Sequence, residues 1–133
     1  GAPRLARAKL NIPLLRENAD NRIALEAYPG YLTKAQLGIS SYKSDERRKQ
    51  TPGRRRNREF IVGQLRSGLP LEIRLNATRS LCKTFVDDPT ADYLDSAICA
   101  LQAAWGWKHR KRRFGPPAGV DALAGPIATV PGP

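Results

Sequence analysis

The sequence predicts an α/β fold in which one strand is followed by helices, the last of them long, and a short strand closes the chain. Three stretches carry that expectation. Residues 22–28 alternate Ile23, Leu25 and Ala27 with polar neighbours between Asn21 and Pro29-Gly30, the pattern of a half-buried strand. From residue 89 to about 108, Leu94, Ala97, Ile98, Leu101 and Trp105 recur at spacings of three and four, which defines one buried helix face expected to pack on the sheet. Residues 127–130 are a short apolar run stopped by Pro131, which suits an edge strand.

The other elements follow in order. Residues 2–10 fit a short basic helix broken by Pro13 and the polar stretch 17–21, so the first 21 residues are weakly specified. Residues 31–37 make one or two helical turns ended by Gly38, and 41–43 form a loop into a basic run punctuated by Pro52-Gly53. A helix over 54–65 turns Ile61 and Leu65 inward and stops at Gly68. Leu71, Ile73 and Leu75 alternate like a strand, while Ile73, Ala77, Leu81 and Phe85 fit a helical series. The reading is extended structure to about 76, then a helix to Val86. Asp88 caps the long helix and Pro89 occupies its first position, where a missing amide costs nothing. Residues 114–125 read as a Gly/Pro/Ala linker.

A chain of 133 residues suffices for one domain with a single core. No apolar run is long enough to span a bilayer, and no signal-peptide pattern is present. Cys82 and Cys99 sit in apolar contexts without a second pair to complete a zinc site, so they read as free thiols of a cytoplasmic protein. Methionine is absent, which leads to the expectation of a segment upstream of Gly1.

The net charge is +11, and its distribution is more informative than its size. Residues 43–58 hold eight Lys/Arg against Asp45 and Glu46, and residues 108–113 hold five with no acid, so the remainder is neutral. Excess charge gathered in two runs points to a polyanion, with nucleic acid as the expected partner. Lys43, Arg54, Arg55, Arg56, Lys108, Arg110 and Lys111 are the candidate phosphate contacts. The alternative is that the runs are solvated loops that keep the protein soluble. In the second run, Trp105, Trp107 and His109 interleave with cations, a pattern able to stack bases while holding phosphates; a Trp pair at a helix end also serves as core.

The acids stand out against this basic background. At about 100° per residue, Asp88, Asp92 and Asp95 fall within roughly 60° of one another on the long helix, and like charges so placed repel. A divalent cation would relieve the repulsion. Alternatively Asp88 caps, Asp92 favours the helix dipole and Asp95 is solvated. Glu26 lies near the end of its strand, where α/β proteins place chemistry, or else it is an edge-strand surface residue.

The order of Leu25-Glu26-Ala27-Tyr28-Pro29, the Tyr42-Lys43 loop, Asp92-Tyr93-Leu94-Asp95-Ser96-Ala97 and the terminal 125–131 stretch resembles a family of predicted ribonuclease H-like nucleases, domain of unknown function 429. The likeness spans roughly residues 22 to 131, and the Asp-x-x-Asp helix start also resembles the last acidic motif of Holliday-junction resolvases. It implies the C-terminal portion of a ribonuclease H-like fold. It also implies Mg²⁺- or Mn²⁺-dependent phosphodiester hydrolysis with Glu26, Asp92 and Asp95 as catalytic metal ligands, and Tyr42 and Lys43 matching a loop of unknown role. The chain departs from that pattern at Gly125-Pro126 and in lacking the first-strand aspartate. The implied partner for completion is a missing N-terminal half or a second copy, and the non-catalytic alternative is a basic nucleic-acid-binding module.

Overall fold

The computed structural model describes residues 2–13 and 16–115. Among these, five α-helices follow in order: α1 (Ala2–Arg7), α2 (Pro29–Leu37), α3 (Pro52–Ser67), α4 (Arg79–Asp87) and α5 (Asp92–Lys108). Short 3-10 turns lie at Arg47–Lys49 and Arg110–Arg112.

No sheet forms among the described residues, which corrects the α/β expectation and the ribonuclease H-like fold with it. Residues 22–28 make isolated bridges and no strand; the one between described residues is parallel, Ile23 to Asn11. The Asn11 amide donates to Arg22 O at 3.1 Å and the Ala24 amide donates to Asn11 O at 2.9 Å. Alternation prepares a strand, but a strand exists only where a neighbour supplies a ladder of donors and acceptors, and Asn11 supplies one rung. The segment instead lies against α5. A methyl group on Gly106 would stand 2.5 Å from Leu25 Cδ1, so the bare glycine admits this approach. The strand expected over 127–130 and the linker from residue 116 onward lie outside the described residues.

The core is a helical cluster. Leu94 and Ile98 of α5 are fully buried with Leu32 of α2 and Ile61 and Leu65 of α3, and Phe85 and Val86 of α4 complete it. α5 packs against α2 and α4, and α3 packs against α4. The face predicted by helical spacing is therefore the buried one, covered by helices in place of a sheet. Fully burying each such side chain contributes roughly 1.5–3 kcal/mol.

Local signals set the helix ends. Gly38 and Gly68 close α2 and α3 in the left-handed conformation, with φ of 69° and 98°. Thr51 and Thr78 open α3 and α4, their hydroxyls accepting from the Arg54 and Leu81 amides. The long helix begins later than expected, because Ala91 is left-handed at φ 60° and a right-handed helix cannot pass through it. Asp88 still tethers the start: its carboxylate accepts from the Thr90 amide and hydroxyl, at 3.0 and 2.6 Å, and from the Tyr93 amide at 3.3 Å. Among the described residues, no helix is long and apolar enough to cross a membrane, and Cys82 and Cys99 are free.

One cation of the first basic run is internal. Arg58 is 4% exposed, and its guanidinium donates to Val86 O at 2.7 Å and to Tyr42 O at 2.8 Å. It thereby ties the end of α4 and the 41–43 loop to α3. Arg58→Met keeps the apolar stem but leaves two buried carbonyls without a donor, at about 1–3 kcal/mol each. Urea unfolding followed by circular dichroism should show a loss of roughly 3 kcal/mol, with Arg58→Lys intermediate.

Asp88 makes stability depend on pH. Burial opposes its ionisation, but the hydrogen bonds from Thr90 and Tyr93 together outweigh burial and hold its pKa below the ordinary 3.8. A folded-state pKa below the unfolded one stabilises above the unfolded value, and that contribution is lost as pH falls through the folded value. The stability gap between the wild type and Asp88→Asn, measured by urea midpoint, should therefore be constant at neutral pH and narrow as pH drops below about 4.

Candidate nucleic-acid interface

Three of the residues singled out in the sequence meet at the start of α5. The Tyr42 hydroxyl donates to Asp95 Oδ1 at 2.6 Å, and the Lys43 ammonium donates to Asp95 Oδ2. Tyr42 is 3% exposed although it sits in a loop, held there by the backbone contact to Arg58. Burial, and then the hydrogen bond to the Asp95 carboxylate, push the Tyr42 phenol well above its ordinary range. The Asp95 hydrogen bond raises Lys43 as well. One turn further along α5, burial and then the nearby Asp95 raise the Cys99 thiol.

Of the three carboxylates expected to hold Mg²⁺ or Mn²⁺, Asp95 is committed to partners within the chain. Both oxygens of Asp95 are engaged, by Tyr42 and Lys43. The Asp92 carboxylate is exposed and its charge also acts on Lys43, while Asp88 tethers the helix start. Glu26 lines a cavity of 340 Å³ with Leu25, Cys99, Ala103, Trp107 and Phe114. Among the described residues, no three His, Cys, Asp or Glu side chains gather as a set able to hold a metal ion. The residues present do not fit the implied metal centre, and no catalytic step is derived through one. The repulsion anticipated on α5 is relieved at Asp95 by a lysine.

The basic runs divide into cations that hold the fold and cations left to solvent. Arg55 pairs with Asp87 and, at 3.3 Å, with Glu59, so it joins α3 to α4. Arg54 reaches back to Ser41 Oγ at 2.9 Å and Lys49 O at 2.6 Å. Lys108 pairs with Glu72 at 3.3 Å, and Arg113 with Glu17 at 2.8 Å. Arg48 and Lys49 share only the exposed Glu46, while Arg47, Arg56 and Lys111 are on the surface. A groove of 490 Å³ at the start of α3 is lined by Ser41, Arg48, Lys49, Thr51, Arg54 and Asn57, with Gly53 at its base and no acid among its walls.

At the far end of α5, the Arg110 guanidinium lies 4.7 Å from the Trp107 ring centroid and donates to Trp107 O. Trp107 is 56% exposed. Trp105 turns the other way, stacked on His109 at 4.0 Å. His109 is half-buried by that stack.

Sequence reasoning missed the pairing of Tyr42 with Asp95 and the burial of Arg58. The first joins residues 53 apart, and the second hides among identical neighbours. The one available signal was the adjacent Tyr42-Lys43 pair. No protein-family model, no curated protein and no solved structure matches the chain. The described residues define a small helical module whose excess basic residues lie in two runs of the chain.

Tyr42→Phe removes a hydrogen bond to a charged, nearly buried acceptor and should cost about 2 kcal/mol. Lys43→Ala breaks a half-exposed ion pair and should cost less than about 1 kcal/mol. Thermal melts in Mn²⁺ provide the companion test: the midpoint of the wild type should not move, whereas a rise abolished by Asp95→Asn would show the carboxylates regrouping around the ion.

Proposed function

We propose that this chain is a nucleic-acid-binding module that grips the sugar-phosphate backbone through its two basic runs, with little sequence preference. The observation that carries the reading is the groove at the start of α3, whose lining holds three cations and no acid, with only the exposed Glu46 paired to two of them. Arg48, Lys49 and Arg54 stand there beside the hydroxyls of Ser41 and Thr51 and the amide of Asn57. Guanidinium, ammonium, hydroxyl and amide donors are the groups that position nucleic acids by their phosphates, and they carry no sequence information. The surface cations Lys111 and Arg112 offer the same chemistry in the second run.

Folding consumes several cations in ion pairs, yet among the described residues it leaves the groove cations Arg48 and Lys49 with one exposed acid, Glu46, between them, and the 110–112 turn with no ion-pair partner. This separates the reading from a merely solvated charge run, in which pairing and exposure would be indifferent to position. Hydrolysis of the bound strand is not part of the proposal, because the carboxylates required for it are not gathered among the described residues.

Phosphate contacts release counterions, so affinity should fall steeply with salt. Arg48→Gln with Arg56→Gln tests this cleanly, since both side chains are exposed and neither holds two helices together. Fluorescence anisotropy with a labelled oligonucleotide should show unchanged folding, weaker binding and a log–log salt slope shallower by about 1 to 2. A slope near zero in the wild type would overturn the reading.

A further inference from the structure

We propose that the cavity beside Trp107 is a pocket for one unpaired nucleobase, which makes single-stranded nucleic acid, cytosine-bearing strands above all, the preferred ligand. The inference rests on the nucleic-acid reading above and adds to it the strandedness and the base. The cavity encloses 340 Å³, within the roughly 300–1,000 Å³ of small-molecule sites. Its lining includes Trp107, Phe114, Leu25, Ala103 and Cys99, together with the amide-bearing Gln102. One carboxylate, Glu26, stands among them.

Each part matches one feature of a nucleotide. Unpaired bases are bound by stacking on aromatic rings, and Trp107 presents a half-exposed ring already backed by the Arg110 guanidinium at 4.7 Å. The Glu26 carboxylate is exposed at this cavity with no side-chain partner among the described residues, and it lies in a chain of net charge +11. A carboxylate accepts from the exocyclic amino group of cytosine and repels the carbonyl that uracil carries in its place. Lys111 and Arg112 follow Trp107 on the 3-10 turn Arg110–Arg112 and are exposed, which leaves them available to the phosphate of a base so inserted. A duplex hides its base faces in the stack and offers the pocket nothing, so strandedness follows from the geometry.

The test measures binding of the full chain to labelled oligocytidylate, oligouridylate and a duplex of equal length at low salt. The wild type should bind single strands more tightly than duplex, and oligocytidylate more tightly than oligouridylate. Trp107→Ala should weaken single-strand binding roughly tenfold while leaving duplex binding nearly unchanged, and Trp107→Phe should restore most of the loss. Glu26→Met should level the two homopolymers without altering duplex affinity. Equal, salt-sensitive binding of single strand and duplex by the wild type would overturn the pocket and leave the phosphate-binding reading standing. So would a cytosine preference untouched by Glu26→Met. Failure to bind any of the three at low salt would overturn both. The comparison of ligands on the wild type holds even if a variant does not fold.

Discussion

A guanidinium removed from water must find acceptors inside the protein, and Arg58 meets that requirement with two backbone carbonyls from different parts of the chain. Much of the remaining architecture depends on this. Val86 O belongs to the last turn of α4 and Tyr42 O to the loop after α2, so α3 cannot take its place without fixing both. Fixing the Tyr42 backbone sends its ring into the core, where the hydroxyl reaches Asp95 on the first turn of α5. Lys43 then follows onto the second oxygen of the same carboxylate. One buried charge thus orients the acid that closes the start of the longest helix. Burial lowers the Arg58 pKa, but the side chain remains cationic at any ordinary pH.

What the sequence made legible was local. Gly38 and Gly68 end helices because only a residue without Cβ takes up the left-handed conformation cheaply, and that is visible one residue at a time. The buried face of α5 was legible because spacings of three and four report one surface whatever covers it. The covering itself was not. Residues 22–28 have the composition of a strand, yet pairing is a property of two segments, and only Asn11 bridges them among the described residues. The boundary at Asp88 was half legible: the cap chemistry was identified, but the left-handed turn at Ala91 displaced the helix to Asp92. Glu26 and Trp107 were each noted for their own oddity. Their meeting at one cavity required the chain to fold Leu25 onto Gly106, which no spacing records.

The charge pattern illustrates why counting cations is a weak guide to contacts. In the run 43–58, Lys43, Arg55 and Arg58 are committed to Asp95, to Asp87 and to backbone carbonyls, and they serve the fold. Arg48, Lys49 and Arg56 have at most a screened surface partner and are the ones available to a ligand. Folding sorts the same residue type into structural and binding roles, and the sorting is carried by where the few acids lie. Asp88 before α5 and Asp95 on it took on the same structural role, as partners for amides and a cation within the chain.

The two basic regions sit toward opposite ends of α5. Asp95, which holds Lys43, and Lys108 are 13 residues apart, which corresponds to roughly 20 Å along the axis. A single strand of several nucleotides is long enough to span that interval. Photocrosslinking of the full chain to a single-stranded oligonucleotide, with adducts located by mass spectrometry, tests the account most directly. Adducts on Trp107 and in the 47–57 segment are the predicted result; adducts confined to α4, or none at low salt, would contradict it.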